Sequence, residues 1–78
     1  MLDSDNLKVA TFHSHYGAMM FHKRMGKDSV LKPVPRSLSS SCGTAVFFTI
    51  PFEEEYADEN TEAVYEKDGD NWRLIWKK

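Results

Sequence analysis

The apolar residues of the first third of the chain follow two different periods, one typical of a strand and one typical of a helix. Residues 7–13 are rich in β-branched and aromatic side chains, which predicts a first strand. Ala18, Phe21 and Met25 then recur at positions i, i+3 and i+7. This spacing predicts a helix over residues 15–25 that presents one apolar face to a core.

The residues at the two ends of this segment support the predicted helix. Ser14 has a side chain that commonly caps a helix N-terminus, and Gly26 is of the type that commonly follows the last turn. Gly17 weakens the first turn by about 1 kcal/mol relative to alanine. A reason to keep a glycine here is that something must approach the backbone closely.

The rest of the pattern is that of strands and turns. A half-buried strand with Trp72, Leu74 and Trp76 on one face is predicted, because these residues alternate with Arg73, Ile75 and Lys77. The remaining predicted elements are a strand over 29–34, a strand over 44–50, a short helical turn or loop over 52–60, and a hairpin of 62–67 with 72–77. Pro33 and Pro35 predict that the strand over 29–34 is an edge strand or ends early.

The resulting order, β-α-β-β-(short helix or loop)-β-β, predicts an α+β fold. We expect a two-layer sandwich in which one main helix covers an antiparallel or mixed sheet. A right-handed crossover makes the first two strands parallel, and the third strand fits between them. The turn at residues 13–17 and the loop at residues 37–43 then lie at the same end of the sheet.

Length and composition indicate one small globular domain. The 78 residues, 41% hydrophobic and 28% charged, predict a single domain over 1–78 with a flexible N-terminus at 1–6. The start of the chain is polar and contains no apolar signal-peptide region, which predicts a cytoplasmic location. The longest apolar run, residues 45–48, is too short to cross a membrane, so we expect no membrane partner.

Charge is divided unevenly along the chain. Residues 1–50 carry six basic and three acidic side chains, whereas residues 51–78 carry four basic and nine acidic side chains. The net charge of −2 argues against nucleic acid as the principal partner.

The only cysteine of the chain lies in a polar loop, which is an unusual place for a residue type that is commonly buried. Cys42 follows three serines and precedes Gly43. These neighbours predict an accessible sulfur near backbone N–H donors, which favour the nucleophilic thiolate. The alternative is a structural thiol beside a turn glycine. A single cysteine also excludes an intrachain disulfide.

Side chains and backbone near Cys42 are candidates for supporting roles. Ser39, Ser40 and Ser41 offer hydrogen bonds to a bound chalcogen or a small anion, although serines also serve ordinary turns. Gly43 permits a positive φ next to the sulfur.

Two histidines and an arginine complete the candidate site. His13 and His15 are expected to carry a proton to or from the thiol, and Arg36 to pair with an anionic substrate. The alternative for each of them is a polar surface residue. The spacing of the histidines lacks the pattern of a zinc site, so we expect no metal.

The run Val34-Pro-Arg-Ser-Leu-Ser-Ser-Ser-Cys-Gly-Thr-Ala45 resembles the signature V-P-R-x-[LI]-S-S-S-C-G-x-A of the selenium/sulfur carrier-like domain family. The likeness extends over roughly residues 7–50. It implies a cytosolic carrier in which Cys42 takes up sulfur or selenium as a persulfide or selenosulfide. Family members tend to continue with a second helix and a last strand. Here an acidic stretch and a tryptophan hairpin follow instead, which implies a degenerate ferredoxin-like fold.

The resemblance implies donor and acceptor proteins as partners, and thiol exchange needs no metal or organic cofactor. A chain of this size has little surface with which to enclose a pocket of the usual ~300 Å³, which favours a carrier over a stand-alone enzyme. The alternatives are a thiol redox sensor and a non-catalytic protein-interaction module. The oligomeric state is not predicted.

Overall fold

Five strands and one helix follow one another in the predicted order in a computed structural model of the chain, which describes residues 6–38 and 42–78. The predicted flexible N-terminus, apart from Asn6, and the three serines at 39–41 lie outside the described residues. The elements are β1 (Lys8–Phe12), α1 (His15–Met25), β2 (Ser29–Pro33), β3 (Thr44–Phe48), β4 (Thr61–Asp68) and β5 (Asn71–Lys77), with short 3-10 turns at Gly26–Asp28 and Glu54–Tyr56.

The helix begins and ends at the residues that the sequence predicts. The hydroxyl of Ser14 accepts a hydrogen bond from the N–H of Gly17 at 3.1 Å, which satisfies one of the free donors of the first turn. Gly26 follows the last turn with a φ of 71°, and its N–H donates to the carbonyl of His22. Over the described ranges, no helix is both long and apolar enough to cross a membrane.

The strands form one sheet in the order β2-β3-β1-β4-β5, and every neighbouring pair is antiparallel. β1 and β2 therefore run parallel to each other with β3 between them. β2 lies at one edge of the sheet, as its proline predicts. The two-layer α+β architecture predicted from the sequence is confirmed.

The helix packs on one face of the sheet and forms the larger core. Phe21 of α1 has no exposed surface, and its ring centroid lies 5.2 Å from that of Phe12 and 5.7 Å from that of Phe48. We call this group the helix-side core, and its buried members are Ala10, Phe12, Ala18, Phe21, Met25, Val46, Phe48 and Val64. The three helix residues predicted to face a core are among them.

The opposite face of the sheet, which we call the open face, carries a smaller apolar cluster. Its buried members are Val9, Ala45 and Phe47. Leu7, Val34, Leu38, Tyr65 and Trp72 pack around them and are partly exposed. The β2–β3 loop therefore contributes apolar side chains to the open face.

The prediction for the last strand is wrong in one respect. Trp76 packs against the helix-side core, whereas Trp72 packs on the open face. The cause is a shift of register between Val64 and Tyr65, where β5 has one additional residue. Such a bulge reverses the alternation of faces along the strand, so the two tryptophans cannot share a face.

Candidate functional site

Cys42 and the turn that follows β1 lie at the same end of the sheet. Thr11 near the end of β1 pairs with Ala45 near the start of β3, so the residues after β1 and those before β3 are neighbours. The sulfur-bearing loop is thus close to the start of α1. Cys42 itself is half-buried and packs against the helix-side core.

The thiol of Cys42 is held by the backbone of Thr44. The N–H of Thr44 donates to Sγ at 3.5 Å, and Sγ as a thiol donates to the carbonyl of Thr44 at 3.4 Å. The cysteine is free of any disulfide. The N–H can bond the sulfur as a thiol or as a thiolate, whereas the bond to the carbonyl exists only for the thiol.

A histidine of the helix is joined to the same threonine. A hydrogen bond connects Nδ1 of His15 with Oγ1 of Thr44 at 3.3 Å. His15, Thr44 and Cys42 therefore form one connected group, which we call the Cys42 site. Sequence analysis named His15 and Cys42 but not Thr44. The available signal was a hydroxyl residue two positions after the cysteine, at the first position of a predicted strand.

His13 makes different contacts. Its Nδ1 lies 3.4 Å from Oε2 of Glu62 on β4, and its N–H donates to the carbonyl of Asn60 at 2.9 Å. β4 and β3 lie on opposite sides of β1. The described contacts thus place His13 in a separate pair that ties the turn after β1 to β4, and they do not join it to Cys42.

The glycine that follows Cys42 shapes the loop. Gly43 has a φ of +74°, a region that side chains with a Cβ rarely occupy, and its carbonyl accepts a hydrogen bond from the N–H of Val34 at 3.1 Å. This bond closes the β2–β3 loop just before β3 begins. Gly43 therefore sets the direction in which the chain leaves Cys42.

The other predicted site residues have no described contact with the sulfur. Arg36 is exposed in a turn closed by the N–H of Leu38, which donates to the carbonyl of Pro35 at 3.0 Å. No ion pair found over residues 6–38 and 42–78 involves Arg36. The predicted contributions of Ser39, Ser40 and Ser41 lie outside the described residues.

The residue before β4 lies very close to the first turn of α1. A Cβ added at Gly17 would lie 2.5 Å from the Cβ of Asn60, closer than two such atoms can come. The absence of a side chain at Gly17 thus lets the first turn of the helix rest on the residues that precede β4. This turn carries His15, so the contact also positions the histidine of the Cys42 site.

The described part of the chain contains no group of three or more histidine, cysteine or acidic side chains arranged to hold a metal ion. The groups gathered at the Cys42 site are a thiol, a hydroxyl, an imidazole and backbone amides. A thiol is the kind of group that acts as a nucleophile in proteins, and an imidazole is the kind that transfers protons.

Comparison with known families agrees with the family that the sequence resembles. The sequence profile of the family described as Putative Se/S carrier protein-like matches residues 8–69. The chain belongs to this family. The match includes the Cys42 site and continues past the motif, through the acidic segment and β4 as far as the turn before β5. No curated protein and no solved structure matches the chain.

The geometry of the loop at Gly43 can be tested against that at Gly26, because both glycines have a positive φ and lie at turns. Gly43→Ala and Gly26→Ala should each destabilise the fold by about 1–2 kcal/mol, because neither added Cβ meets another atom within 4 Å and only the backbone strain remains. Only Gly43→Ala should change the alkylation rate of Cys42. Urea unfolding and iodoacetamide labelling measure the two effects, and an equal change of labelling in both variants would contradict the role given to Gly43.

Proposed function

We propose that this chain is a sulfur or selenium carrier in which Cys42 holds the transferred atom as a persulfide or selenosulfide. The observation that supports this most is the half-buried Cys42 thiol in a surface loop, with the N–H of Thr44 donating to its sulfur. The description of the family points to the same function.

Uptake is a thiol exchange at a donor protein. The Cys42 thiolate attacks the terminal sulfur of a persulfide on the donor, so a bond forms between Sγ and that sulfur. The bond inside the donor persulfide breaks, and the donor cysteine leaves as a thiolate with the electron pair. A terminal selenium atom is transferred in the same way. The exchange involves no net oxidation and no cofactor.

Release follows the same chemistry in the other direction. A nucleophile on an acceptor attacks the terminal atom held by Cys42, and Cys42 departs as a thiolate. The N–H of Thr44 stabilises this thiolate both before uptake and after release. The same backbone N–H thus acts in both states in which the sulfur of Cys42 carries negative charge.

His15 acts in this proposal as a positioning residue. Its imidazole bonds the hydroxyl of Thr44, and so holds the strand start that supplies the N–H to sulfur. Ser39, Ser40 and Ser41 are proposed to stabilise the terminal atom, and Arg36 to meet an anionic group of the donor. His13 is proposed to support the site only through the turn that it ties to Asn60.

Donor and acceptor proteins are the proposed partners, and the cytoplasm is the proposed location. Delivery between proteins fits the exposed position of the loop, because Gly43 is exposed and Cys42 is half-buried. A partner can therefore approach the sulfur without a deep substrate pocket. A redox sensor remains the second hypothesis. With one cysteine in the chain, it would need an external thiol to form a disulfide.

A transfer experiment tests the carrier function. The chain is mixed with a desulfurase-type donor that carries a radiolabelled persulfide, separated from it, and then mixed with a small thiol acceptor. We expect about one label per chain after the first step, since thiol exchange leaves one atom on one cysteine. The label should then move to the acceptor. Failure to acquire the label, or retention of it in the presence of excess acceptor, would contradict a carrier.

The hydrogen bonds that link His15 to Thr44 and Thr44 to Cys42 lead to a separate prediction. His15→Ala and Thr44→Val should each slow alkylation of Cys42 about two- to fivefold. This factor corresponds to the free energy that one hydrogen bond contributes. The double variant should be no slower than either single variant, because both remove the same bond. His22→Ala serves as the control, since His22 bonds Ser29 rather than Thr44.

The alkylation rate is measured as a function of pH for all four variants. Additive effects of the two single substitutions would show that His15 and Thr44 act independently. An effect of His22→Ala as large as that of His15→Ala would show that the slowing comes from a general disturbance of the helix.

A further inference from the structure

The open face of the sheet is positively charged, although the chain as a whole has a net charge of −2. Three lysines occupy it. Lys32 pairs with Ala45, Lys67 pairs with Trp72, and Lys77 pairs with Ala63 across neighbouring strands. Because side chains that are directly opposite share a face, all three lysines lie on the side of the sheet away from α1.

On the described strands, no carboxylate lies directly opposite any of these lysines. The other residues that the strand pairing assigns to the open face are uncharged, namely Val9, Thr11, Val30, Ala45, Phe47, Ala63, Tyr65, Trp72 and Leu74. Glu62 lies at the bulge of β4 and contacts His13. None of the ion pairs identified within 6–38 and 42–78 includes Lys32, Lys67 or Lys77. The face therefore keeps its positive charge available to a partner.

Two of the lysines lie over aromatic rings. The ammonium of Lys32 is 5.7 Å from the ring centroid of Phe47, and that of Lys67 is 4.9 Å from the ring of Trp72. The two rings are 6.1 Å apart and pack edge to face. These contacts hold the charges above an apolar surface, and such an arrangement lowers the entropy lost when a partner fixes them.

Apolar side chains extend the surface toward both edges of the sheet. Val30 on β2 is 38% exposed and Leu74 on β5 is 49% exposed. Tyr65 on β4 pairs with Leu74, Trp72 lies two residues before Leu74 on β5, and both Tyr65 and Trp72 are partly exposed. The open face thus combines exposed apolar groups with positive charge, whereas the acidic residues 53–55 belong to a separate segment.

We propose that the open face docks an acidic segment of a partner protein, one that carries both carboxylates and large apolar side chains. Carboxylates would pair with the three lysines, and the apolar side chains would cover Val30, Leu74 and the exposed part of Trp72. Single-stranded nucleic acid fits less well. The net charge of the chain repels it, and Phe47 is almost fully buried and so offers no ring face for base stacking.

This docking surface goes beyond the chemistry of Cys42 and does not depend on it. The test is a selection from a random library of 12-residue peptides displayed on phage, followed by binding measurements with the selected synthetic peptides. We expect enrichment of sequences that combine aspartate or glutamate with aromatic or aliphatic residues. A consensus without acidic residues, or no enrichment, would overturn the proposal.

Variants with reversed charges on each face of the molecule show which face binds the peptide. K32E/K67E should weaken binding of a selected peptide by at least about tenfold. K23E/K27E, which reverses two exposed lysines on the helix and the turn after it, is the matched control and should change binding less than about threefold. Equal effects of the two double variants would overturn the proposal. So would tighter binding of a single-stranded RNA of equal length than of the peptide.

A second measurement avoids any variant that folds poorly. Amide shifts of the wild-type chain, recorded as the selected peptide is added, should change on β2, β4 and β5 rather than on α1. Changes concentrated on the helix would place the peptide on the other side of the sheet and contradict the proposal. Repetition with Cys42→Ser should give the same map, which separates this surface from the proposed transfer chemistry.

Discussion

Cys42→Ser should abolish the uptake of labelled sulfur or selenium from a persulfide donor. The chain contains one cysteine, so no other thiol can accept the atom. A serine hydroxyl is not nucleophilic enough to replace a thiolate in exchange with a persulfide. We expect the label on the variant to fall to background.

The fold should remain intact in the same variant. Cys42 is half-buried, and a serine can make the same pair of hydrogen bonds with the backbone of Thr44. We expect a change in the free energy of unfolding of less than about 1 kcal/mol, measured by urea denaturation. Thr44→Val is the comparison variant, because it keeps both the cysteine and the backbone N–H and should retain uptake. Equal label on Cys42→Ser and the wild type would disprove the assignment of the site.

Gly17→Ala should lower the free energy of unfolding by about 2–3 kcal/mol, which is the usual cost of adding an atom where the packing leaves no room for it. The added Cβ would lie 2.5 Å from the Cβ of Asn60, so the helix or the residues before β4 must move. Since the carbonyl of Asn60 accepts the N–H of His13, movement there also disturbs the turn after β1. Thermal and urea unfolding measure the loss.

Removing the opposing atom provides the control for this prediction. Asn60→Gly deletes the Cβ that the new side chain would meet, so Gly17→Ala combined with Asn60→Gly should cost less than the sum of the two single changes. The coupling energy should be at least about 1 kcal/mol. Strict additivity would mean that the contact between residues 17 and 60 does not determine the stability of this region.

Much of the framework could be predicted from the sequence because local signals and global topology agree. Ser14 and Gly26 define the ends of the helix by capping chemistry that depends on few residues. The proline of β2 indicates an edge strand, and the handedness of the crossover then fixes the order of β1, β2 and β3. The meeting of the Cys42 loop with the start of α1 follows from that order.

The hairpin shows what periodicity cannot predict. The bulge opposite Val64 and Tyr65 adds one residue to β5, and the face of Trp76 changes with it. A bulge depends on how two strands pair, and the alternation within one strand contains no information on this. For the same reason, the sequence did not predict that the lysines of the open face would be separated from the acidic residues 53–55.

The membership of the candidate site was only partly predictable for a similar reason. The sequence analysis gave His13 and His15, two residues apart, the same role at the thiol. In the fold, the turn sends His13 toward β4 and Glu62, whereas His15 reaches Thr44 on β3. Which strand a turn residue contacts depends on the order of strands in the sheet, so the role of Thr44 emerged only with the structure.

The mass of the chain purified without reductant tests the central claim most directly. We predict a fraction of molecules heavier by one sulfur or one selenium atom, with the added mass on the peptide that contains Cys42 and removable by a thiol reductant. Recovery only of the unmodified mass after incubation with a persulfide donor, or added mass on a peptide without Cys42, would contradict the proposed carrier.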